Sequence, residues 1–273
     1  MRKVRFKELR LTATVELKLI TVTPLRIGAG KSLDVGEPDL PIVKHSDGTP
    51  VIPGSSLKGV FRSTLSRFLG KDDRGLDPIF GGTDYASPIV FTDLRAGSKD
   101  TIEKPHIRVD KARGSVARGG LFQVEAVPDN TYFTGNVVSY NLPLSVLAGV
   151  VAVNKALMDN DVVRIGGFKS RGYGSVRTEV TRASLSMPST ENSYEVELGN
   201  IIGGTKVECN YKVEGNKLSI KEKYYTGEKD HKDVDSAVTV TGSSEDGMMV
   251  DITLDVDSFL RLGASAINMW RGK

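Results

Sequence analysis

Apolar and polar residues alternate with a period of two from Leu11 to Thr23, and many are β-branched, so this stretch reads as a strand. Pro24 and then Gly28-Ala29-Gly30 stop it. Ile42-Val43-Lys44 and Pro50-Val51-Ile52 flank Ser46-Asp47-Gly48-Thr49, a hairpin-like pattern. The period then changes. Leu57, Val60, Phe61, Leu65, Phe68 and Leu69 share one helical face that Ser55 or Ser56 can cap and Gly70 can close, with Lys58, Arg62 and Arg67 on the other side. Ser87–Leu94, Gly120–Val127 and Thr131–Tyr140 read as strands, Leu142–Met158 as a helix and Gly174–Leu185 as a strand.

The order strand, helix, strands, helix, strand matches a split βαβ unit. The expected fold is therefore α+β, a ferredoxin-like (RRM-like) core with insertions and a C-terminal β-rich appendage. Residues 1–187 form the first domain in this reading. A basic polar insert at about residues 95–120 interrupts it, and inserts of that length are functional loops or disordered. Residues 188–273 form the appendage, which ends in a helix over Ser258–Trp270.

Charge changes the picture more than composition does. The net charge is only +3, yet residues 1–188 carry 27 Lys and Arg against 19 Asp and Glu, while residues 189–257 carry 7 against 15. An anionic ligand should prefer the first span, with a solvated charged face as the competing reading. The single cysteine, Cys209, excludes an internal disulfide and a cysteine zinc site, fits a reducing cytoplasm, and reads as a small buried apolar residue. The longest apolar tract, Leu142–Val153, contains Pro143 and Gly149 and is too short for a bilayer. The basic opening, residues 1–7, runs into a stretch broken by Glu16 and Lys18, unlike an export signal. The expectation is a cytoplasmic protein with no membrane partner.

Two glycine-rich turns join basic residues to element boundaries. One is Ile52-Pro53-Gly54-Ser55-Ser56-Leu57-Lys58-Gly59-Val60-Phe61-Arg62; the other is Ile165-Gly166-Gly167-Phe168-Lys169-Ser170-Arg171-Gly172-Tyr173-Gly174-Ser175-Val176. Glycine lets backbone approach a ligand, and cations beside free N–H groups suit phosphates, so the pair points to a nucleic-acid backbone held in one groove. Gly28-Ala29-Gly30-Lys31-Ser32 is not a P-loop, because Leu25 stands where the first glycine is needed. His45, His106 and His231 have no ligand-type spacing for zinc. Asp34, Glu37 and Asp39 lie in a loop between the basic segments, where carboxylates hint at a metal or proton transfer, or simply at a soluble turn. Tyr173 either stacks on a base or sugar or packs on the sheet.

Three blocks in this order resemble the RAMP superfamily of CRISPR-associated proteins. They are Thr23-Pro24-Leu25-Arg26-Ile27-Gly28-Ala29-Gly30 with Asp39-Leu40-Pro41-Ile42-Val43-Lys44, then the Ile52–Arg62 turn, then the glycine-rich loop Gly166–Val176. Within the superfamily the chain looks most like the backbone subunit of type III interference complexes. The resemblance implies a CRISPR RNA-binding subunit that self-associates along the guide, with target RNA, other RAMP subunits and the large subunit as partners. It implies guide contacts at Lys58, Arg62, Lys169, Arg171, Gly167, Gly172, Tyr173 and Lys44, and a thumb at the basic insert with Lys111, Arg113 and Arg118. It further implies an endoribonuclease that cuts guide-matched target RNA, with Asp39 as catalytic residue and ligand of a divalent metal, Mg2+ being the expected ion. Two alternatives stay open: a structural CRISPR RNA-binding subunit without cleavage, and a metal-independent guide-processing endoribonuclease that would use His45.

Overall fold

A computed structural model of the chain describes residues 8–31, 38–70, 72–110, 112–189, 192–198, 206–226 and 230–270. Residues 1–7, Asp34, Glu37 and Lys111 lie outside the described residues, as do the side chains of Asp73 and Arg118.

Strand β1 (Thr12–Thr21) buries Ala13, Val15, Leu17 and Leu19 and turns Thr12, Thr14, Glu16 and Lys18 outward. That alternation makes it the central strand. It pairs antiparallel with β7 (Tyr132–Tyr140) on one side and with β8 (Val176–Pro188) on the other. The short strands β3 (Ile89–Phe91) and β4 (Leu94–Ala96) flank β7, and β2 (Val51–Ile52) pairs with β4. Helix α1 (Gly54–Leu69) follows β2 on the route from β1 to β3, the four-residue helix α2 (Asp77–Phe80) lies beyond it, and α3 (Leu144–Asp159) joins β7 to β8. The chain is thus a mixed α and β fold in which β3, β7, β1 and β8 are successive neighbours.

Helix α1 buries Leu57, Phe61 and Leu65, one per turn, with Phe61 edge-on to Phe91 at 5.0 Å between centroids. Its start differs from the sequence expectation. Pro53 is the capping position, Ser55 and Ser56 are exposed in the first turn, and neither caps. The bond comes from a distant residue: the Gly54 N–H donates to Asp93 Oδ1 at 2.8 Å. Gly54 also serves the chain's own packing, since a Cβ there would strike the Phe91 carbonyl oxygen. Gly70 ends the helix at φ 65°, as expected.

The insert is a hairpin. Strands β5 (Ile102–Val109) and β6 (Val116–Ala126) pair with each other, Arg113 lies in the turn at their tip, and Arg118 falls within β6. Most of β5 is exposed, and β6 is buried at Gly120 and at its base, Val124 to Ala126.

Beyond β8 the chain forms β9 (Asn192–Glu197), β10 (Lys206–Glu214), β11 (Lys217–Tyr225), β12 (His231–Glu245), β13 (Met249–Leu254) and helix α4 (Val256–Trp270). These strands continue the same sheet, because β13 pairs with β8 and the long β12 bridges β13 to β11. Among the described residues the sheet has 11 strands. The two spans also share core. Gly263 of α4 meets the Ala148 backbone, and Gly149 of α3 meets the Trp270 ring. Glu222 of β11 is buried at the start of α3, where it accepts hydrogen bonds from the Ser145 N–H at 3.2 Å, from the Ser145 hydroxyl and from the Tyr211 and Tyr224 hydroxyls at 2.7 Å each. The Leu144 N–H donates to Tyr211 Oη at 3.0 Å. A helix with no capping side chain of its own is finished by the C-terminal strands. Cys209 is buried and free, as its composition reading expects.

Candidate nucleic-acid interface

The residue after β1 that matters most is Arg26. Its segment is clamped by backbone bonds: Leu25 N–H to Val127 O at 2.9 Å, Gly167 N–H to Arg26 O at 2.8 Å, and Gly174 N–H to Pro24 O at 2.9 Å. The glycine loop therefore closes directly onto Arg26. Gly166, at φ 80°, permits this approach, because a Cβ there would meet the Arg26 carbonyl. Gly167 lies along the Arg26 guanidinium, and Gly172 turns the chain at φ 87° with open space beside it.

Phe168 sits between these glycines with φ 57°, a left-handed conformation that strains a bulky residue. The strain aims its ring into a cluster. His106 of β5 lies 5.5 Å from Phe168, 5.7 Å from Phe122 of β6 and 5.9 Å from Tyr173, centroid to centroid. His106 Nε2 and Tyr173 Oη are hydrogen-bonded at 2.9 Å. Tyr173 is buried at 5% exposure, so its ring packs rather than standing free.

Cations surround the rings. Arg171 lies 4.8 Å and Arg26 5.3 Å from the Phe168 centroid, and Lys104 Nζ is 5.8 Å from the Tyr173 centroid. Lys169 is close enough to Arg67, in the last turn of α1, for their charges to interact. Partial burial lowers the pKa of Arg26 from its ordinary value, and burial followed by Arg67 lowers that of Lys169. Burial lowers the pKa of His106, with Arg171 and Lys104 adding to it. Arg26 Nε is buried without a hydrogen-bond partner among the described residues. Arg26, Arg67, Lys104, Lys169 and Arg171 have no carboxylate partner there either. Five such cations around one loop have the chemistry to take an anion as counter-charge.

The other cations chosen from sequence are engaged elsewhere. Arg62 donates to Asp77 Oδ1 at 2.5 Å and to the Gly81 carbonyl at 2.7 Å. Lys58 donates to Ser87 Oγ at 2.8 Å, and its pKa is lowered by burial and then by Arg62. Lys44 pairs with Glu125, which is buried at 3% exposure and also accepts the Ile42 N–H at 3.0 Å. Lys169 of the loop is within electrostatic range of Arg67 in the last turn of α1, and Gly54 begins that helix about 20 Å from Arg67 along its axis.

Asp39 does belong near the loop, through the hairpin. Its segment adds alongside β6, with the Leu40 N–H donating to Gln123 O at 3.1 Å and the Glu125 N–H to Leu40 O at 3.1 Å. Asp39 Oδ2 accepts the Gln123 N–H at 2.7 Å, which leaves Oδ1 exposed. His106 pairs across the opposite edge of β6, so the two residues are two strand spacings apart, about 10 Å. His45 is in the exposed turn at residues 45–49, bonded to Ser46 Oγ at 3.2 Å and about 20 Å along extended chain from Asp39. The histidine at the glycine loop is His106. No group of three metal-donor side chains occurs among the described residues, and Asp34 and Glu37 of the same loop lie outside them. One carboxylate together with substrate phosphate oxygens and waters is a binding mode that Mg2+ accepts.

The RAMP superfamily model matches residues 18–177, more than half of the chain. The chain belongs to the RAMP superfamily. Every RAMP residue described above, from Arg26 to Tyr173, lies inside that match, whereas β9–β13 and α4 lie outside it. The chain is 26% identical over 224 residues to a Mycobacterium tuberculosis protein named CRISPR system Cms endoribonuclease Csm3, covering 69% of this chain and 93% of that one. It is 28% identical over 186 residues to the Methanocaldococcus jannaschii protein of the same name, covering 57% and 73%. Two solved chains also match at a TM-score of 0.48. One is from an apo type III-B Cmr-beta cryo-EM structure, with 15% identity over 62% of this chain and 97% of that chain. The other is from the Cmr-beta complex bound to cognate target RNA, with 16% identity over 61% and 96%.

Proposed function

We propose that this RAMP protein is a CRISPR RNA-binding backbone subunit of a type III effector complex that also cuts guide-matched target RNA. The observation that carries the reading is the set of cations without a carboxylate partner among the described residues, Arg26, Arg67, Lys104, Lys169 and Arg171, around a glycine loop with the half-buried Phe168 ring at its centre. Its RNA contacts would be to phosphates and independent of sequence, because the guide supplies specificity by base pairing. The names of the two relatives support the assignment to this type of complex. The successive neighbours β3, β7, β1 and β8, with helical crossovers, support a ferredoxin-like core. The outward residues of β1 are Thr12, Thr14, Glu16 and Lys18 rather than aromatics, which favours RNA at the loop end over the sheet face.

Asp39 is the proposed carboxylate for cleavage. Its free Oδ1 would take the proton from a target 2′-hydroxyl as that oxygen bonds to the adjacent phosphorus. The P–O5′ bond then breaks, leaving a 2′,3′-cyclic phosphate and a 5′-hydroxyl that is protonated from water. A divalent ion held by Asp39 would supply Lewis-acid stabilisation of the phosphoryl oxygens. Arg26 and Arg171 would fix the strand on which this occurs. In a complex assembled on guide RNA, Asp39→Ala should lower cleavage at least 100-fold and leave guide affinity within twofold. Cleavage at the wild-type rate by that variant refutes the role of Asp39. With no group of three metal donors among the described residues, a second reading is a structural subunit without cleavage. Wild-type complex that binds guide-matched RNA and never cuts it, with or without Mg2+, would establish the second.

A further inference from the structure

Asp39 and the loop cations sit on different segments, and one row of contacts joins them. Asp39 is fixed to one edge of β6 through the Gln123 N–H. Phe122, the neighbouring residue of β6, faces His106 across the other edge. His106 in turn touches Phe168 and is bonded to Tyr173, and Phe168 carries Arg26 and Arg171.

A two-stranded hairpin has little stability of its own. In this one Ile107 is 54% exposed and Leu121 63% exposed, so the outer part gains nothing from the core. Leu40 holds the base of β6 through backbone bonds to Gln123 and Glu125, and beyond that base the orientation draws on side chains that reach another element. Tyr173 is rooted in the buried end of the glycine loop, and a hydroxyl buried there is costly unless bonded. His106 supplies that bond from the hairpin side.

We propose that His106 is a positioning residue: bonded to Tyr173, it holds the β5–β6 hairpin, and with it Asp39, at a fixed span from the phosphate seat of the glycine loop. This rests on the cleavage role given to Asp39 above. Small displacements of a reacting group lower rates steeply, so a loosened hairpin should slow cutting more than it weakens binding.

His106→Phe keeps an aromatic ring against Phe122 and Phe168 but removes the bond, and Tyr173→Phe removes the same bond from the other side. Each should lower the single-turnover rate on guide-matched RNA about 10-fold with guide affinity within twofold. The double variant should be no slower than either single one, because both remove one interaction. Unchanged rates, additive losses, or affinity falling in step with rate would overturn the proposal. A second measurement does not need cleavage: amide hydrogen exchange in RNA-free protein. The β5 and β6 amides should exchange faster in both variants while α3 stays protected. Equal exchange in wild type and variants overturns the tie itself. A wild-type complex that binds guide without cutting removes the role of Asp39 instead, so the two failures are distinct.

Discussion

The start of α1 and the glycine loop look alike in sequence, each a glycine-rich run with cations two to four residues apart, yet their cations have opposite fates. At α1, Arg62 is spent on Asp77 and Gly81, and Lys58 on Ser87. At the loop, Lys169 and Arg171 have no acidic partner among the described residues, and Arg26 and Lys104 join them from other segments. A cation already neutralised holds the fold together, whereas one left without a carboxylate is available to a ligand. Local motifs do not distinguish the two cases, because the partners lie elsewhere in the chain.

The contrast can be broken by exchanging which property each region controls. The largest effect should come from Arg26→Ala with Arg171→Ala. Single-stranded RNA affinity at low salt should drop about 100-fold, and the slope of log affinity against log salt should shrink by about 1.4, or about 0.7 for each lost phosphate contact. Thermal stability should barely move, and a slope equal to wild type would show that these arginines do not meet phosphate. Next, Arg62→Ala should cost about 2 kcal/mol in urea unfolding and leave RNA affinity within about threefold, the reverse signature. If it lost affinity without losing stability, α1 rather than the loop would be the RNA contact.

Lys44→Ala sharpens the same point with a smaller effect. Burial alone would raise the Glu125 pKa, and Lys44, the Ile42 N–H and Thr101 overcome it to hold the pKa below the ordinary value. A depressed carboxylate stabilises the fold above its unfolded pKa and loses that contribution as pH falls through the folded value. Wild type should therefore weaken only on acidification below about pH 4.5. Without Lys44, burial dominates, and the loss should move toward neutral pH, read as melting temperature against pH. The smallest expected effect is at His106. Its pKa lies below 6.5 because of burial, Arg171 and Lys104, so the folded protein binds that proton less readily than the unfolded chain. Stability should fall slightly as pH drops from about 6.5, with Arg171 and Lys104 repelling the new charge, and His106→Phe should flatten that slope.

Much of the fold was legible in the sequence because its elements are periodic. Alternation in β1 and the helical spacing of Leu57, Phe61 and Leu65 point to the same faces that the structure buries. The hairpin was not legible over residues 95–120, since β5 is exposed on both faces over most of its length and so has no period to read. The helix start was misplaced because Asp93, 39 residues away, does the work assigned to Ser55 or Ser56. In the candidate site, Lys169, Arg171 and the loop glycines come together as their motifs suggest, with Asp39 across β6 from His106. Lys58, Arg62 and Lys44 have partners of their own, while Arg26 and Phe168 stood in their motifs without a role, His106 was weighed only as a zinc ligand, and Phe122 was given no role. Those four come from separate segments and form no local motif. A phenylalanine wedged between Gly167 and Lys169 was the one available signal.

Glu222 reaches the start of α3 across 77 residues of sequence. During synthesis, the first turn of that helix leaves the ribosome well before the strand that completes it. Tyr211, Glu222 and Tyr224 must all emerge before Leu144 and Ser145 have their hydrogen-bond partners, so the RAMP half cannot reach its final form until its downstream neighbour has been translated. Nascent chains halted near Pro188 should hold α3 frayed at its beginning, a vectorial dependence that a bead-on-a-string arrangement of independent modules would lack.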